Sequence, residues 1–473
     1  MRPSASRPRR SPSEPLPWAE LRPCSTRRHR YPARRRGIAL ATAIGLLPAC
    51  AGGPGRDDGG GRGVTLTVAL RGWSSLRTYP VIKEPLARFS AATGIEVKYV
   101  PGLQDKPARL EQYLAWLEEG ARTPDVYEAD ITEIGRLAEH MIDLRPYVGA
   151  DIDAHIPALV DTYTIGGRLV GVPLYTDVGL LFYRSDLLEA YGYERPPRSW
   201  RELRAMATAI QAGERARGNR EFWGFAWPGA EGDDLICFFL EVQASYGGGQ
   251  TIEPDRTVSV RNPRAAAALR DVRGWVGSIS PPGVTAYGQD DARNLWLGGN
   301  AAFHRNWPHI WSVSQAEGSL IRGKVGATAL PSGGAGHYGT LGGWQLSVSK
   351  HSAHPREAAE LIRYFTSRRE QVRRAVVLSG LPTILDLYDD REVLEANPFF
   401  GEVKEVLQRG TVRRPSGTGR PGYGPIAKAY GAAVHSVLTG RAEADEALAA
   451  LETELTRLTG YGVGVPGVPE PEP

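Results

Sequence analysis

The chain has 473 residues and a mass of 51.4 kDa, which is enough for two or three domains with their own cores. Its 41% hydrophobic and 23% charged residues exclude a fibrous or disordered protein, and no apolar run approaches the ~18 residues of a membrane-spanning helix. The net charge of +4 arises in residues 1–50, which hold 11 Arg and 2 Glu. The rest of the chain holds 46 of the 57 basic residues and 51 of the 53 acidic residues. Beyond residue 50 the net charge is therefore −5, which gives no electrostatic reason to expect a nucleic-acid partner.

Residues 1–50 have the pattern of an export leader. Arginines at 34–36 precede a short apolar segment at 38–47, and small residues follow at 49–51. The sequence Leu-Pro-Ala-Cys at 47–50 resembles the bacterial lipobox, although its proline departs from the usual small or β-branched residue. We therefore expect acylation at Cys50 and a lipid anchor, with a Gly-rich tether over residues 51–64. The alternative is ordinary cleavage after Ala51, which releases a soluble exported protein.

Cysteine usage excludes a disulfide or a Cys-based metal site in the mature protein. Cys24 and Cys50 lie in the leader, and Cys237 is the one that remains. It lies within the apolar run at 235–240, which predicts a buried core cysteine and not a nucleophile.

The first elements after the tether alternate between strands and helices. Hydrophobic patterning predicts strands at 65–70, 95–100 and 125–128, with helices at 79–92 and 107–119 between them. A βαβαβ order predicts an α/β fold with a parallel, doubly wound sheet.

Turn and cap signals organise the rest of the chain. Gly166-Gly167 predicts a hairpin, and Ser199-Trp-Arg-Glu202 is a capping box that opens a helix. Further strands are predicted near 301–306, 324–330 and 344–349, further helices near 265–277, 354–374, 424–438 and 443–458, and a disordered tail over 460–473.

Five sequence blocks, in one order, carry a resemblance to a known family. Residues 173–188 (PLYTDVGLLFYRSDLL) resemble the first interdomain crossing of the extracellular sugar-binding proteins of ABC importers. The other blocks are FWGFAW at 222–227, GNAAFHRNWP at 299–308, GKVG at 323–326 and TLGGW at 340–344. Together they most resemble the trehalose/maltose-binding branch, and the resemblance extends over about residues 65–459.

The resemblance implies a two-lobe periplasmic-binding-protein ("Venus flytrap") fold with three interdomain crossings. The crossings should fall near residues 175–178, 343–346 and 379–382. The expected N-lobe is 65–176 with 343–378, and the expected C-lobe is 177–342 with 379–459. A disaccharide would bind in the cleft between the lobes and favour the closed form, which would dock on ABC permease subunits served by a cytoplasmic ATPase. The resemblance implies a monomer that is not an enzyme and needs no cofactor or metal.

Polar ligand-binding residues are matched position by position. Asp130 and Asp177 are the expected carboxylate acceptors for sugar hydroxyls, with helix capping and a hinge hydrogen bond as their respective alternative roles. Arg109 and Arg414 are the expected donors. The alternative for Arg109 is that it is a solvated surface arginine. The alternative for Arg414 is that the adjacent Arg413 takes its role as donor.

Aromatic residues are expected to stack on the sugar rings. Trp307 and Trp344 are the stacking candidates, and the glycines before Trp344 would allow close approach of the backbone to the ligand. Tyr175 and Tyr423 are further candidates for stacking or hydroxyl bonding. Trp73 follows the first strand, where such folds place ligand loops, and has no clear counterpart in the family.

One departure from the family pattern bears on the ligand. Arg77 and Thr78 stand where close relatives carry an acidic residue that reaches into the pocket. The change makes a charged sugar an alternative to trehalose, and a polyamine is a further alternative. A glycoside-processing enzyme would need two carboxylates ~5–5.5 Å apart, which the sequence cannot place, and no nucleophile elbow, phosphate loop or metal-binding motif accompanies them.

Overall fold

The computed structural model describes residues 63–71, 79–103, 105–414 and 422–467. Several predicted features lie outside these residues: the leader with Cys50, nearly all of the tether, Trp73, the pair Arg77-Thr78 and the last six residues of the tail. Within the described residues, no helix is long and apolar enough to cross a membrane.

The strands of the described chain include the three predicted at its start and the three predicted in its second half. In chain order the strands are β1 (Thr65–Arg71), β2 (Glu96–Gly102), β3 (Val126–Asp130), β4 (Thr164–Ile165), β5 (Arg168–Leu169), β6 (Val172–Asp177), β7 (Leu180–Arg184), β8 (Trp223–Ala226), β9 (Ala301–Asn306), β10 (Val325–Ala329), β11 (Gly339–Thr340), β12 (Gly342–Val348) and β13 (Thr411–Val412).

The helices surround two main sheets. They are α1 (Tyr79–Thr93), α2 (Lys106–Glu118), α3 (Ile134–Leu137), α4 (Arg145–Val148), α5 (Pro157–Thr162), α6 (Ser185–Ala190), α7 (Trp200–Ala216), α8 (Asp233–Ser245), α9 (Pro263–Trp275), α10 (Gln289–Leu297), α11 (Ile310–Ser314), α12 (Pro355–Thr366), α13 (Arg368–Leu378), α14 (Arg391–Ala396), α15 (Phe400–Arg409), α16 (Tyr423–Leu438) and α17 (Ala444–Thr459). Short 3₁₀ helices lie at Ala138–His140, Gly149–Ala154, Pro282–Ala286 and Leu385–Asp389.

Two sheets define two lobes. The sheet of the first lobe has the order β2-β1-β3-β12-β6, and the sheet of the second lobe has the order β10-β7-β9-β8. In the first lobe, β1 runs parallel to β2 and β3, as the βαβαβ pattern predicts. Strand β12 arrives from far along the chain and lies antiparallel between β3 and β6. Local patterning does not predict this insertion, because it depends on the return of the chain from the other lobe.

The chain passes between the sheets close to the predicted crossings. It leaves the first sheet after Asp177, enters the second at Leu180, and rejoins the first at Gly342, where β12 begins. Near the third predicted crossing, the carbonyl oxygen of Leu381 accepts a 3.0 Å hydrogen bond from the amide of Thr176. The exact residue boundaries of the lobes remain predictions.

Buried apolar residues form the core of the second lobe. Its core is rich in aromatic rings, with Trp200 and Trp275 5.2 Å apart and Trp227 and Phe238 4.9 Å apart between ring centroids. Cys237 is buried in the same lobe, as predicted, and burial raises the pKa of its thiol, which keeps it inert.

The predicted hairpin and the predicted helix cap are both present, and the cap differs in one hydrogen bond. Gly166 and Gly167 connect β4 and β5 with positive φ angles of 58° and 78°, which suit a tight hairpin. Ser199 caps α7 by accepting a 3.2 Å hydrogen bond from the amide of Glu202. The Glu202 carboxylate does not return to the Ser199 amide as in a full capping box, and accepts instead from the Arg198 amide at 2.8 Å.

Two predictions in the second half are wrong in detail. The helix predicted near 354–374 is two helices, because Ser367 adopts an extended conformation between α12 and α13. The tail is not disordered from residue 460, because Val258 donates to the carbonyl oxygen of Gly462 and accepts from the amide of Gly464, each at 2.9 Å.

Candidate functional site

The candidate site lies where one edge of the first sheet meets the second lobe. Strands β1, β3 and β6 end at this edge with Arg71, Asp130 and Asp177. In the register of β12, Trp344 lies opposite both Asp130 and Tyr175. Directly opposed residues of neighbouring strands project to the same face of a sheet, so these three predicted site residues form one row.

Two glycines let β12 enter this row. Gly343 has a φ of 146°, and a Cβ there would lie 2.9 Å from the backbone oxygen of Tyr175. A Cβ on Gly342 would lie 3.5 Å from the ring of Trp307. The glycines therefore admit close packing between protein groups, whereas the sequence suggested close approach to a ligand.

Four charged residues of alternating sign connect the two lobes. The Nζ atom of Lys106, at the start of α2, lies 3.0 Å from Oδ1 of Asp130 and 2.9 Å from Oδ2 of Asp233. Arg414, which follows β13, lies 2.7 Å from Asp233 and 3.7 Å from Asp130. The hydroxyl of Tyr423 donates to the other oxygen of Asp233. We call Lys106, Asp130, Asp233 and Arg414 the ionic ring.

The ionic ring keeps both of its acids ionised. Burial alone would raise the pKa of Asp130, but Lys106 and Arg414 hold it below its usual range. Burial likewise opposes ionisation of Asp233, and the same two cations outweigh it and lower its pKa. Two cations and two anions make the ring electrically neutral.

Asp177 differs from the acids of the ring. No residue of the described chain donates a hydrogen bond to its carboxylate. Burial raises the pKa of Asp177 to about 7, although the nearby Arg71 opposes the shift. Asp177 as a residue is half-buried at the end of β6, so a bound solute can reach it.

Trp307 is held by two groups of the second lobe. Its indole N–H donates a 3.1 Å hydrogen bond to Asp234, and the guanidinium carbon of Arg305 lies 4.3 Å from its ring centroid. Arg305 is fixed in turn by a buried, two-bond ion pair with Glu241. Trp307 is partly exposed, and this support fixes its orientation for stacking.

Trp344 is more enclosed than Trp307. Its exposed fraction is 8%, and the guanidinium carbons of Arg71 and Arg109 lie 4.3 Å and 5.0 Å from its ring centroid. Arg109 is almost fully buried and donates to Glu133 at 3.3 Å and to the carbonyl oxygen of Leu103 at 3.2 Å. Arg109 therefore contacts the predicted stacking residue, and in this structure it is not the solvated surface arginine of the alternative interpretation.

The structure gathers the predicted site residues that it describes and adds others. It distinguishes Arg414, which is buried in the ring, from Arg413, which is exposed. Sequence reasoning missed Arg71, Lys106 and Asp233. Acidic residues are common in the first turn of a helix, where they complement the helix dipole. The position of Asp233 in the first turn of α8 therefore did not mark it as a site residue. The described residues contain no cluster of His, Cys, Asp and Glu that could hold a metal ion.

Comparisons with known proteins identify the family. A sequence profile of the family "Bacterial extracellular solute-binding protein" matches residues 73–372. A Deinococcus radiodurans protein described as "Probable ABC transporter-binding protein" is 42% identical over 401 residues, which cover 84% of this chain and 94% of its own length. The maltodextrin-binding protein MdxE of Bacillus subtilis is 24% identical over 350 residues, 70% of this chain and 76% of its own.

A solved structure agrees with this assignment. Maltose-bound MalE3 of T. maritima is 33% identical, with a TM-score of 0.76 over 84% of this chain and 100% of that chain. The predicted two-lobe fold is thereby confirmed. The chain belongs to the bacterial extracellular solute-binding proteins, the binding components of ABC transporters, and resembles their maltose-binding branch.

Proposed function

We propose that this protein binds an α-linked disaccharide of the trehalose or maltose kind between its lobes and delivers it chemically unchanged to an ABC importer. The observation that carries the proposal is the convergence of Trp344 and Asp177 from the first lobe with Trp307 from the second. Sugar rings offer apolar faces to indole rings and hydroxyls to carboxylates, so this set suits both parts of the ligand. The maltose-bound relative from T. maritima supports the same ligand class.

The charge balance of the site favours a neutral solute. Among the described residues of the site each cation has an acidic partner: Arg71 faces Glu128, Arg109 faces Glu133, Arg305 faces Glu241, and the ionic ring is neutral. An oxyanion would need an unpaired cation, which these pairs do not supply. A charged sugar or a polyamine is the alternative solute, and Asp177, whose carboxylate has no hydrogen-bond donor among the described residues, would be the group that favours a polyamine.

Thermal shift and calorimetry on residues 51–473 test the proposal. The panel is trehalose, maltose, sucrose, maltotriose, glucose, spermidine and phosphate. A ligand at ~100 times its Kd should stabilise the protein by about 2.7 kcal/mol. We expect this shift with trehalose or maltose, and no shift with phosphate.

A matched pair of tryptophan variants assigns the binding to the cleft. Trp307→Ala should abolish the sugar-induced shift, because it removes the supported ring. Trp223→Ala is the control, since Trp223 is also partly exposed and also lies under an arginine, Arg215, at 4.2 Å, but away from the cleft. A shift with spermidine alone would support the polyamine alternative, and release of glucose from maltose would support the enzyme alternative.

We further propose that the protein is exported and anchored to the membrane by a lipid at Cys50, as a monomer. The family assignment supports export, and the lipobox-like sequence at 47–50 supports the anchor. In cells fed a fatty-acid analogue, the wild-type protein should be labelled and membrane-bound, and Cys50→Ala should be neither. An unlabelled protein whose N-terminus follows Ala51 would establish the soluble alternative, and light scattering tests the monomer.

A further inference from the structure

The ionic ring consists of one ion pair from each lobe. Lys106 and Asp130 belong to the first lobe, and Asp233 and Arg414 to the second. If the lobes separate, Lys106 remains paired with Asp130 and Arg414 remains paired with Asp233. Each charged residue of the ring therefore still has a partner of opposite sign. Closing adds two contacts between the lobes, Lys106 to Asp233 at 2.9 Å and Arg414 to Asp130 at 3.7 Å. The ring is therefore complete only when the lobes meet.

The ring also fixes the orientation of the Asp130 carboxylate. Its Oδ1 atom accepts from the amide and the hydroxyl of Thr132, at 2.9 Å and 2.7 Å, and faces both cations of the ring. Among the described residues no hydrogen bond reaches Oδ2. The described residues thus bind one carboxylate oxygen of Asp130, a predicted sugar-binding residue, and leave the other for a solute.

The two halves of the ring differ in their access to solvent. The side chains of Arg414 and Asp130 are 4% and 10% exposed, whereas those of Lys106 and Asp233 are 27% and 35% exposed. Dissolved salt therefore screens the contact between Lys106 and Asp233 more strongly than the buried pair.

From this arrangement we propose that Lys106 and Asp233 are positioning residues of the binding cleft. Their contact stabilises the closed arrangement of the lobes before a solute binds and holds Asp130 with Oδ2 directed to the solute. Solute affinity depends on the fraction of molecules that are closed, so this contact sets the affinity without touching the ligand. The sugar measurements below rest on the proposed function, whereas the ligand-free measurement does not.

The test compares Lys106→Gln and Asp233→Asn with a matched control. Asp186→Asn removes a carboxylate that is also 35% exposed and also paired with an arginine, Arg184, at 2.6 Å, but within one lobe. Small-angle X-ray scattering of the ligand-free proteins should give a larger radius of gyration for both ring variants than for wild type and Asp186→Asn. Asp233→Glu should restore most of the difference.

Calorimetry with maltose and trehalose gives the second measurement. Lys106→Gln and Asp233→Asn should bind about tenfold more weakly, because fewer molecules are closed, and Asp186→Asn should bind as wild type does. The affinity of wild type should fall with added salt more steeply than that of Lys106→Gln. If Asp233→Asn does not fold, Lys106→Gln carries the test.

The outcomes separate this inference from the proposed function. Unchanged scattering and unchanged affinity in Lys106→Gln would overturn the role of the ring. If wild type binds neither sugar, the proposed ligand is wrong, and the ligand-free scattering still decides whether the ring holds the lobes together.

Discussion

Removing the carboxylate of Glu241 should destabilise the protein strongly and weaken solute binding at the same time. Glu241 and Arg305 are 0% and 1% exposed, and two hydrogen bonds join them. The same carboxylate accepts a 3.0 Å hydrogen bond from the amide of Thr340, at one of the crossings between the sheets. In Glu241→Ala the Arg305 guanidinium would stay buried without its partner.

The magnitude follows from burial. Breaking a buried ion pair by removing one partner costs about 3–5 kcal/mol, because an uncompensated charge remains in the interior. The unsatisfied amide of Thr340 adds to the loss, although the two effects share one carboxylate and do not simply sum. We expect a loss of about 3–5 kcal/mol in the free energy of unfolding of Glu241→Ala. Solute binding should weaken as well, because Arg305 supports the ring of Trp307.

Urea unfolding followed by tryptophan fluorescence measures the effect. The control is Glu395→Ala, which breaks an ion pair with Arg391 at 2.7 Å on the surface, and its midpoint should match that of wild type. The double variant with Glu241→Ala and Arg305→Met should recover much of the loss, because it removes the orphaned charge. The reasoning is refuted if Glu241→Ala unfolds at the same urea concentration as wild type, or if the double variant is no better than the single one.

Three further predictions test the electrostatics of the site and the local conformation of the chain. In Asp177→Asn the unfolding free energy should be close to that of wild type at about pH 4 and exceed it at pH 7 and above, because the pKa of Asp177 is raised to about 7 in the folded protein, so that wild type loses stability as the pH rises from the ordinary pKa of 3.8 to about 7; equal pH profiles would contradict this. Gly343→Ala should lower the thermal midpoint by the equivalent of about 1–3 kcal/mol, since its positive φ and the nearby oxygen of Tyr175 leave no room for a Cβ, and an unchanged midpoint would show that the strand adjusts. Ser199→Ala should cost about 1 kcal/mol in urea unfolding through the lost cap to Glu202, with solute binding unchanged.

Local features of the sequence determine much of the fold. The alternation of apolar runs predicts β1, β2 and β3 with α1 and α2 between them, because each element must bury one face or stripe. The glycines at 166–167 and the cap at Ser199 are also correct, since they depend on the conformation of a few neighbouring residues. The motif blocks identify the family, and four predicted site residues (Asp130, Tyr175, Asp177 and Trp344) lie at the edge of the first sheet.

Only the tertiary structure decides which of these side chains meet. Lys106 and Asp233 are 127 residues apart in the chain, and their contact depends on how the two lobes approach each other. The same holds for the choice of Arg414 over Arg413 and for the antiparallel entry of β12. Hydrophobic periodicity reports the burial of a residue within its own element, whereas these contacts depend on the packing of elements that are distant in sequence. The sequence by itself thus determines the elements and the family, and the packing of the two lobes determines the electrostatics of the cleft.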